Sequence, residues 1–250
     1  MTKIILVLSG KGGCGKSSCT SLLANELSKT QKVGILDVDL CGPSQSRMMG
    51  LNSSKIQMTE NGWEPVVKNN ISVMSIAFMM AKDDTPVIWR GPKKNAMIMQ
   101  FISQTNWPEL DILLIDTPPG TSDEHLTIVE YLQKNPLKNN TTESMEALII
   151  TTPQKVAVND VKKELMFCHR VGLPVIGVIE NMSGYVCPHC QTCSHIYSKK
   201  SYVEDMCKQF NVNLIGKLPI LPNIAKALDR GDFITLDQKY FATTIKTIHS

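Results

Sequence analysis

No block of like charges occurs in this chain, and 26 basic against 23 acidic side chains leave a net charge of only +3. Charge therefore implies neither nucleic acid nor a membrane as a partner. Long apolar runs are also missing, since none approaches the ~20 residues that a bilayer span requires. The chain enters an apolar stretch almost at once, without a basic, then apolar, then small-residue leader, so a cytosolic protein is expected. Nor is there an internal repeat, a domain linker, or a basic amphipathic pattern over 239–250 of the kind that lies on a membrane surface. Eight cysteines in a reducing compartment argue for metal or core roles rather than disulfides. With 250 residues and 42% hydrophobic content, a single domain over 1–250 with one sizeable core is expected.

What the chain does contain is alternation. Apolar runs at 4–8, 32–38, 71–76, 110–116, 146–151 and 175–180 read as buried strands. Between them lie helical patterns: 18–29 with Cys19, Leu22, Leu23 and Leu27 on one face, and 158–171 with Val158, Val161, Leu165 and Cys168. A helix starting at Pro92 would carry Ala96, Met97, Met99, Gln100 and Phe101, and another opens near Ser122 or Asp123 as its cap, beside a capping or solvated His125. Residues 50–70 read as an irregular excursion, and Cys207 joins Val203 and Phe210 in a core stripe. The class is α/β, a mostly parallel twisted sheet with helices on both faces.

The first strand leads into Ser9-Gly10-Lys11-Gly12-Gly13-Cys14-Gly15-Lys16-Ser17, which satisfies the P-loop pattern between a strand and a helix. Its glycines let backbone amides curl around phosphate oxygens, and the helix N-terminus adds its positive end. Gly10, Gly12, Gly13, Cys14, Gly15, Lys16, Ser17 and Ser18 are the candidate nucleotide cradle. Lys16 is expected at the β and γ phosphates of ATP, and the Ser17 hydroxyl at Mg²⁺.

Two further strands end in acids. Asp37-Val38-Asp39 closes the second, placing Asp37 as a candidate for the magnesium shell and Asp39 for orienting the attacking water. Asp116-Thr117-Pro118-Pro119-Gly120 closes the fourth. There Asp116 would hold Mg²⁺ through water, and the Gly120 amide could contact the γ-phosphate. Asn181, after the last of these strands, could read a purine.

A second constellation follows at 184–198, where Cys187-Pro188-His189-Cys190 sets two thiolates on one side of a turn that suits a thiophilic ion. One such pair supplies two of the four thiolates that zinc or an iron-sulfur cluster takes. The rest would come from Cys193 and another residue, or from the same loop of a second subunit. Spacing alone does not choose between Zn²⁺ and a cluster.

Lys11, a second lysine inside the loop, resembles the deviant-Walker-A NTPases of the signal-recognition/MinD-like class. That resemblance implies that Lys11 reaches a partner subunit's nucleotide in a dimer and acts catalytically with Lys16. Together with Asp37-Val38-Asp39-Leu40-Cys41-Gly42-Pro43-Ser44, Val87-Ile88-Trp89-Arg90-Gly91-Pro92, Pro118-Pro119-Gly120-Thr121-Ser122-Asp123-Glu124-His125 and Glu180-Asn181-Met182-Ser183, the two motifs resemble the Mrp/NBP family of iron-sulfur carrier P-loop ATPases. The absence of a four-cysteine N-terminal extension is similar to that family's short eukaryotic cytosolic branch. The resemblance implies slow ATP hydrolysis coupled to a labile [4Fe-4S] cluster that Cys187 and Cys190 bridge between subunits. It further implies Asn181 at adenine, a homodimer or a heteromer with the longer NBP-type paralogue, late-acting assembly factors, and apoprotein clients in cytosol and nucleus. A zinc-clamped dimeric ATPase that positions another protein is the alternative. Two departures stand out: Gln45-Ser46 replaces an apolar-proline pair, and Lys199-Lys200 stands where the family has glycines.

Overall fold

The computed structural model describes all residues except 80–90, 136, 138–140, 188, 191, 198–200, 233–239 and 250. The expectations for 86–90 and for Lys199-Lys200 therefore lie outside the described residues. In chain order the elements are β1 (Thr2–Leu8), α1 (Lys16–Leu27), β2 (Val33–Asp37), α2 (Gln45–Met48), β3 (Gln57–Thr59), β4 (Gly62–Glu64), β5 (Val66–Lys68), β6 (Ile71–Ser75) and α3 (Gly91–Gln104). There follow β7 (Ile112–Asp116), α4 (Asp123–Lys134), β8 (Thr142–Thr151), α5 (Lys155–Arg170), β9 (Val175–Val186), β10 (Cys193–Ser194), α6 (Tyr202–Phe210), β11 (Leu214–Ile220), α7 (Pro222–Arg230) and α8 (Ala242–His249).

Among the described residues nine strands form one sheet, in the order β10-β9-β8-β1-β7-β2-β6-β5 with β11 paired to β9. Its ladders are parallel except where β5 meets β6 and β10 meets β9. A parallel sheet needs cover on both faces, and successive residues of β1 show how it is supplied. Ile4, Leu6 and Leu8 pack with Phe101 of α3, Ile128 of α4 and Leu165 of α5. Ile5 and Val7 pack on the opposite side with Leu23 of α1, Leu228 of α7 and Ile248 of α8. Burying one such side chain contributes about 1.5–3 kcal/mol, so the many aliphatics of the central strands make the sheet the stable frame. No described helix is long and apolar enough to cross a membrane.

Two expectations need correction, and the helix expected from Pro92 is found with its buried face defined. Residues 50–70 are not irregular: β3 and β4 form a hairpin and β5 lies antiparallel on β6. The buried face of α3 is Ile98, Phe101 and Ile102, with Met97 packed against the core, while Ala96 and Gln100 are exposed. The last predicted strand does not stop before Asn181. β9 runs on to Val186, its later residues held by β11 and β10.

Candidate functional site

β1, β2 and β7 end side by side, with Val7 opposite Asp116 and Asp37 opposite Asp116 in the ladders. Everything at that end of the sheet follows from this register. The P-loop leaves β1 and turns into α1 through Gly15 at φ 80°, a left-handed position where a side chain is strained. A Cβ there would also strike the Asn181 amide. Gly10 is required for a different reason: a Cβ would come within 2.7 Å of the Asp160 and Val161 backbone of α5. Lys11, Gly12, Gly13, Cys14, Gly15, Lys16, Ser17, Ser18 and Asp39 all line a cleft of about 200 Å³, with Pro119 also on its wall. Of the sequence-predicted cradle, Gly12 to Ser18 is thus brought together with the water-orienting candidate Asp39, while Gly10 faces α5 and does not line the cleft.

Beneath the cleft lies a buried acidic centre. Asp37 and Asp116 are both fully buried, and the Lys16 ammonium is paired with the Asp116 carboxylate. Asp37 sits a layer behind the cleft wall. Its Oδ2 accepts from the Ser44 and Gln45 amides at 3.0 and 3.1 Å and from the Ser75 hydroxyl at 3.1 Å, while Oδ1 accepts from the Asp39 amide at 3.2 Å. Burial, and then the neighbouring Asp116 charge, pushes the Asp37 carboxyl above its ordinary range. The Gly120 amide donates to the Ser9 carbonyl at 2.8 Å, tying the loop after β7 to the P-loop.

Gln45 is the residue that sequence reasoning missed. It is fully buried, and its side-chain amide donates to Asp116 Oδ2 at 2.7 Å and to the Ser17 carbonyl at 3.0 Å. Its side-chain oxygen accepts from the Ser21 hydroxyl at 2.6 Å. The one available signal was the departure from an apolar residue at this position.

His125 is a buried cap for α4. Its Nδ1 accepts from the Ser122 amide at 3.3 Å, and burial pushes its pKa down to about 4 against the opposing charge of Glu124. It is neutral near pH 7 and cannot serve there as a proton donor from an imidazolium.

The cysteine pair sits at the far end of β9. Asn181 on that strand donates to the Cys14 carbonyl of the P-loop at 2.8 Å. Beyond it, Val186 pairs with Cys193 and Tyr185 with Ser194, and the Cys187 amide donates to the Thr192 carbonyl at 3.1 Å. This hairpin presents Cys187 half-buried and Cys190 exposed, both as free thiols. Hydrogen bonds from the Thr192 hydroxyl, the Thr192 amide and Cys187 lower the Cys190 thiol from its ordinary value, which favours the thiolate a metal needs. Cys193 folds back over Gly184, where a Cβ would lie 2.8 Å from its sulfur. Among the described residues no group of three or more His, Cys, Asp or Glu side chains is arranged to hold a metal. Cys14, Cys19, Cys168 and Cys207 are buried, as core roles require.

A family model described as a NUBPL iron-transfer P-loop NTPase, within the ParA group, matches residues 1–250. Similar curated proteins include a cytosolic Fe-S cluster assembly factor NUBP2 homolog of Dictyostelium discoideum, 53% identical over 231 residues, which span 91% of this chain and 84% of the relative. A cytosolic Fe-S cluster assembly factor Nubp1 homolog of Drosophila willistoni is 48% identical over 236 residues, 92% of this chain and 75% of the relative. Among solved structures, the nucleotide-binding protein of Archaeoglobus fulgidus, in complex with ADP and with Co found in it, superposes with a TM-score of 0.75 at 33% identity, covering 93% of this chain and 92% of the other. The cell division ATPase MinD of Pyrococcus furiosus shares the fold, with a TM-score of 0.64 at 20% identity over 100% and 99% of the two chains.

Proposed function

Because the chain belongs to the family of NUBPL-type iron-transfer P-loop NTPases, we propose that it is an ATP-dependent scaffold that assembles a labile [4Fe-4S] cluster and passes it to apoproteins in the cytosol and nucleus. The observation that carries this reading is β9. One continuous strand bonds the P-loop through Asn181 and ends at Val186, next to Cys187, so nucleotide cradle and cysteine hairpin adjoin one element.

In the nucleotide half, the Lys16 ammonium exchanges Asp116 for oxygens of the β and γ phosphates. Ser17, on the cleft wall, and Asp116, behind it, offer a hydroxyl and a carboxylate, hard oxygen donors that suit Mg²⁺. That ion, when bound, would supply charge neutralisation between the β and γ phosphates. Asp37, held by four donors, shapes the loop that carries Asp39 and supports the magnesium side from behind. Asp39 orients a water whose oxygen bonds to the γ-phosphorus as the bond to the bridging oxygen breaks. ADP leaves with that oxygen's electron pair, and the water's protons pass to phosphate and solvent. The Gly120 amide reaches the γ-phosphate by giving up the Ser9 carbonyl. The Asn181 amide reaches adenine by giving up Cys14. Lys11 makes no hydrogen bond or ion pair through its ammonium among the described residues, and it is assigned to the nucleotide of a second subunit.

In the cargo half, Cys187 and Cys190 provide two thiolates per chain, so two chains complete four around one cluster. The second chain is another copy or the longer paralogue. Delivery is exchange of these thiolates for those of a client, with no net electron transfer. The test is anaerobic reconstitution with iron and sulfide. Wild-type protein takes up both and turns brown, while Cys187→Ala with Cys190→Ala takes up neither. Full iron and sulfide on the double variant would refute the ligand assignment, and a colourless protein holding zinc would favour a zinc-clamped ATPase that positions another protein.

A further inference from the structure

Gln45 has a place in this site that neither its residue type nor its position in the chain announces. Its side chain offers two N–H donors and one oxygen, and all three are used: Asp116 Oδ2, the Ser17 carbonyl, and the Ser21 hydroxyl as donor to it. Its backbone amide donates to Asp37. One fully buried residue therefore bonds both carboxylates of the acidic centre and the first turn of α1. A buried amide persists only where such partners are present, because an unsatisfied polar group in the core is expensive.

We propose that Gln45 is the positioning residue for the magnesium side of the nucleotide site. The groups it ties together are the carboxylate of Asp116 and the backbone of Ser17, the residues assigned above to Mg²⁺. Lys16 holds the opposite oxygen of Asp116, but that ammonium is the group a phosphate must take. Once it leaves, Gln45 remains as a side-chain donor on Asp116 and holds that carboxylate beside the backbone of Ser17. Ser21 completes the arrangement from one turn further along α1. Its hydroxyl lies 2.6 Å from the Gln45 oxygen and 3.1 Å from the Ser17 carbonyl, and the two acceptors on the other side, Asp116 Oδ2 and the Ser17 carbonyl, fix which way round the amide sits. The P-loop amides that cradle phosphate are not among these contacts. Gln45 thus acts on the metal-dependent part of nucleotide affinity and leaves the metal-free part alone.

This inference rests on the nucleotide-site reading, and the experiment separates the two. A fluorescent ADP is titrated into the full chain with excess Mg²⁺ and again with EDTA, using wild type, Gln45→Met and Ser21→Ala, each checked by thermal unfolding. Wild type binds in EDTA and binds more tightly with Mg²⁺; failure of wild type to bind at all would sink the nucleotide site itself. Gln45→Met keeps the side-chain volume but loses every side-chain hydrogen bond, and its Mg²⁺ enhancement falls by about tenfold, as expected for one lost bond to a charged group, while EDTA affinity holds. Ser21→Ala shows a smaller loss in the same direction. If Gln45→Met binds with undiminished enhancement, or weakens equally in Mg²⁺ and EDTA, Gln45 is a packing residue and the proposal fails. Should Gln45→Met not fold, Ser21→Ala decides: reduced enhancement with unchanged EDTA affinity upholds the proposal, and unchanged enhancement overturns it.

Discussion

Glu164 of α5 is the residue whose chemistry the nucleotide and cysteine sites leave unused. It is buried, its Oε2 has no hydrogen-bond partner, and burial, with Asp160 nearby, pushes its pKa from 4.5 up to about 8. The folded state thus keeps a proton that the unfolded chain releases above its ordinary pKa. Stability from this group is fully present below about 4.5 and is lost as the pH rises toward about 8. Glu164→Gln should flatten that dependence and raise stability near neutrality by on the order of 2 kcal/mol, read by urea unfolding across pH. At this scale the sequence is a good guide to the residues that line the nucleotide cleft, since glycine, lysine and serine at fixed spacing have few other uses. It is a poor guide to Gln45, because a glutamine looks solvated until Asp116, Ser17 and Ser21 are seen around it.

At the scale of elements, β1, β2 and β7 are legible because strands buried on both faces are runs of aliphatics, with an acid ending β2 and β7 and the P-loop following β1. The second half of β9 is not. Asn181, Met182, Ser183 and Gly184 read as loop, and Met182 adopts φ 57°, yet β11 and β10 hold the segment in the sheet through partners distant in sequence. The short strands β3 to β5 escape for the same reason: pairing across space sets them, and Met58 and Val67 stay exposed. The extension of β9 matters for function, since it links Asn181 at the P-loop to Cys187. Asn181→Ala should therefore accept reconstituted iron as wild type does, while ATP no longer changes the rate at which that iron passes to an apoprotein. An unchanged response to ATP would place the coupling outside β9.

For the whole molecule, one sheet covered on two faces puts the nucleotide cleft and the cysteine hairpin along strand ends from which a second chain can be engaged at both. Lys11 lines the first, half-buried, and Cys190 is exposed at the second. Lys11→Ala should leave ADP binding by the single chain within about threefold of wild type, since surface charges contribute little locally. The same variant should lose the two-chain species in ATP, measured by light scattering. The proposed scaffold holds its metal as a cluster shared by two chains. The most direct measurement is iron, acid-labile sulfide and zinc per chain, together with particle mass, on protein isolated without oxygen. A scaffold of the proposed kind gives about four iron and four sulfide per pair of chains, as a cluster with two thiolates from each side demands. Stoichiometric zinc with no sulfide, or a full cluster on a single chain, would contradict it.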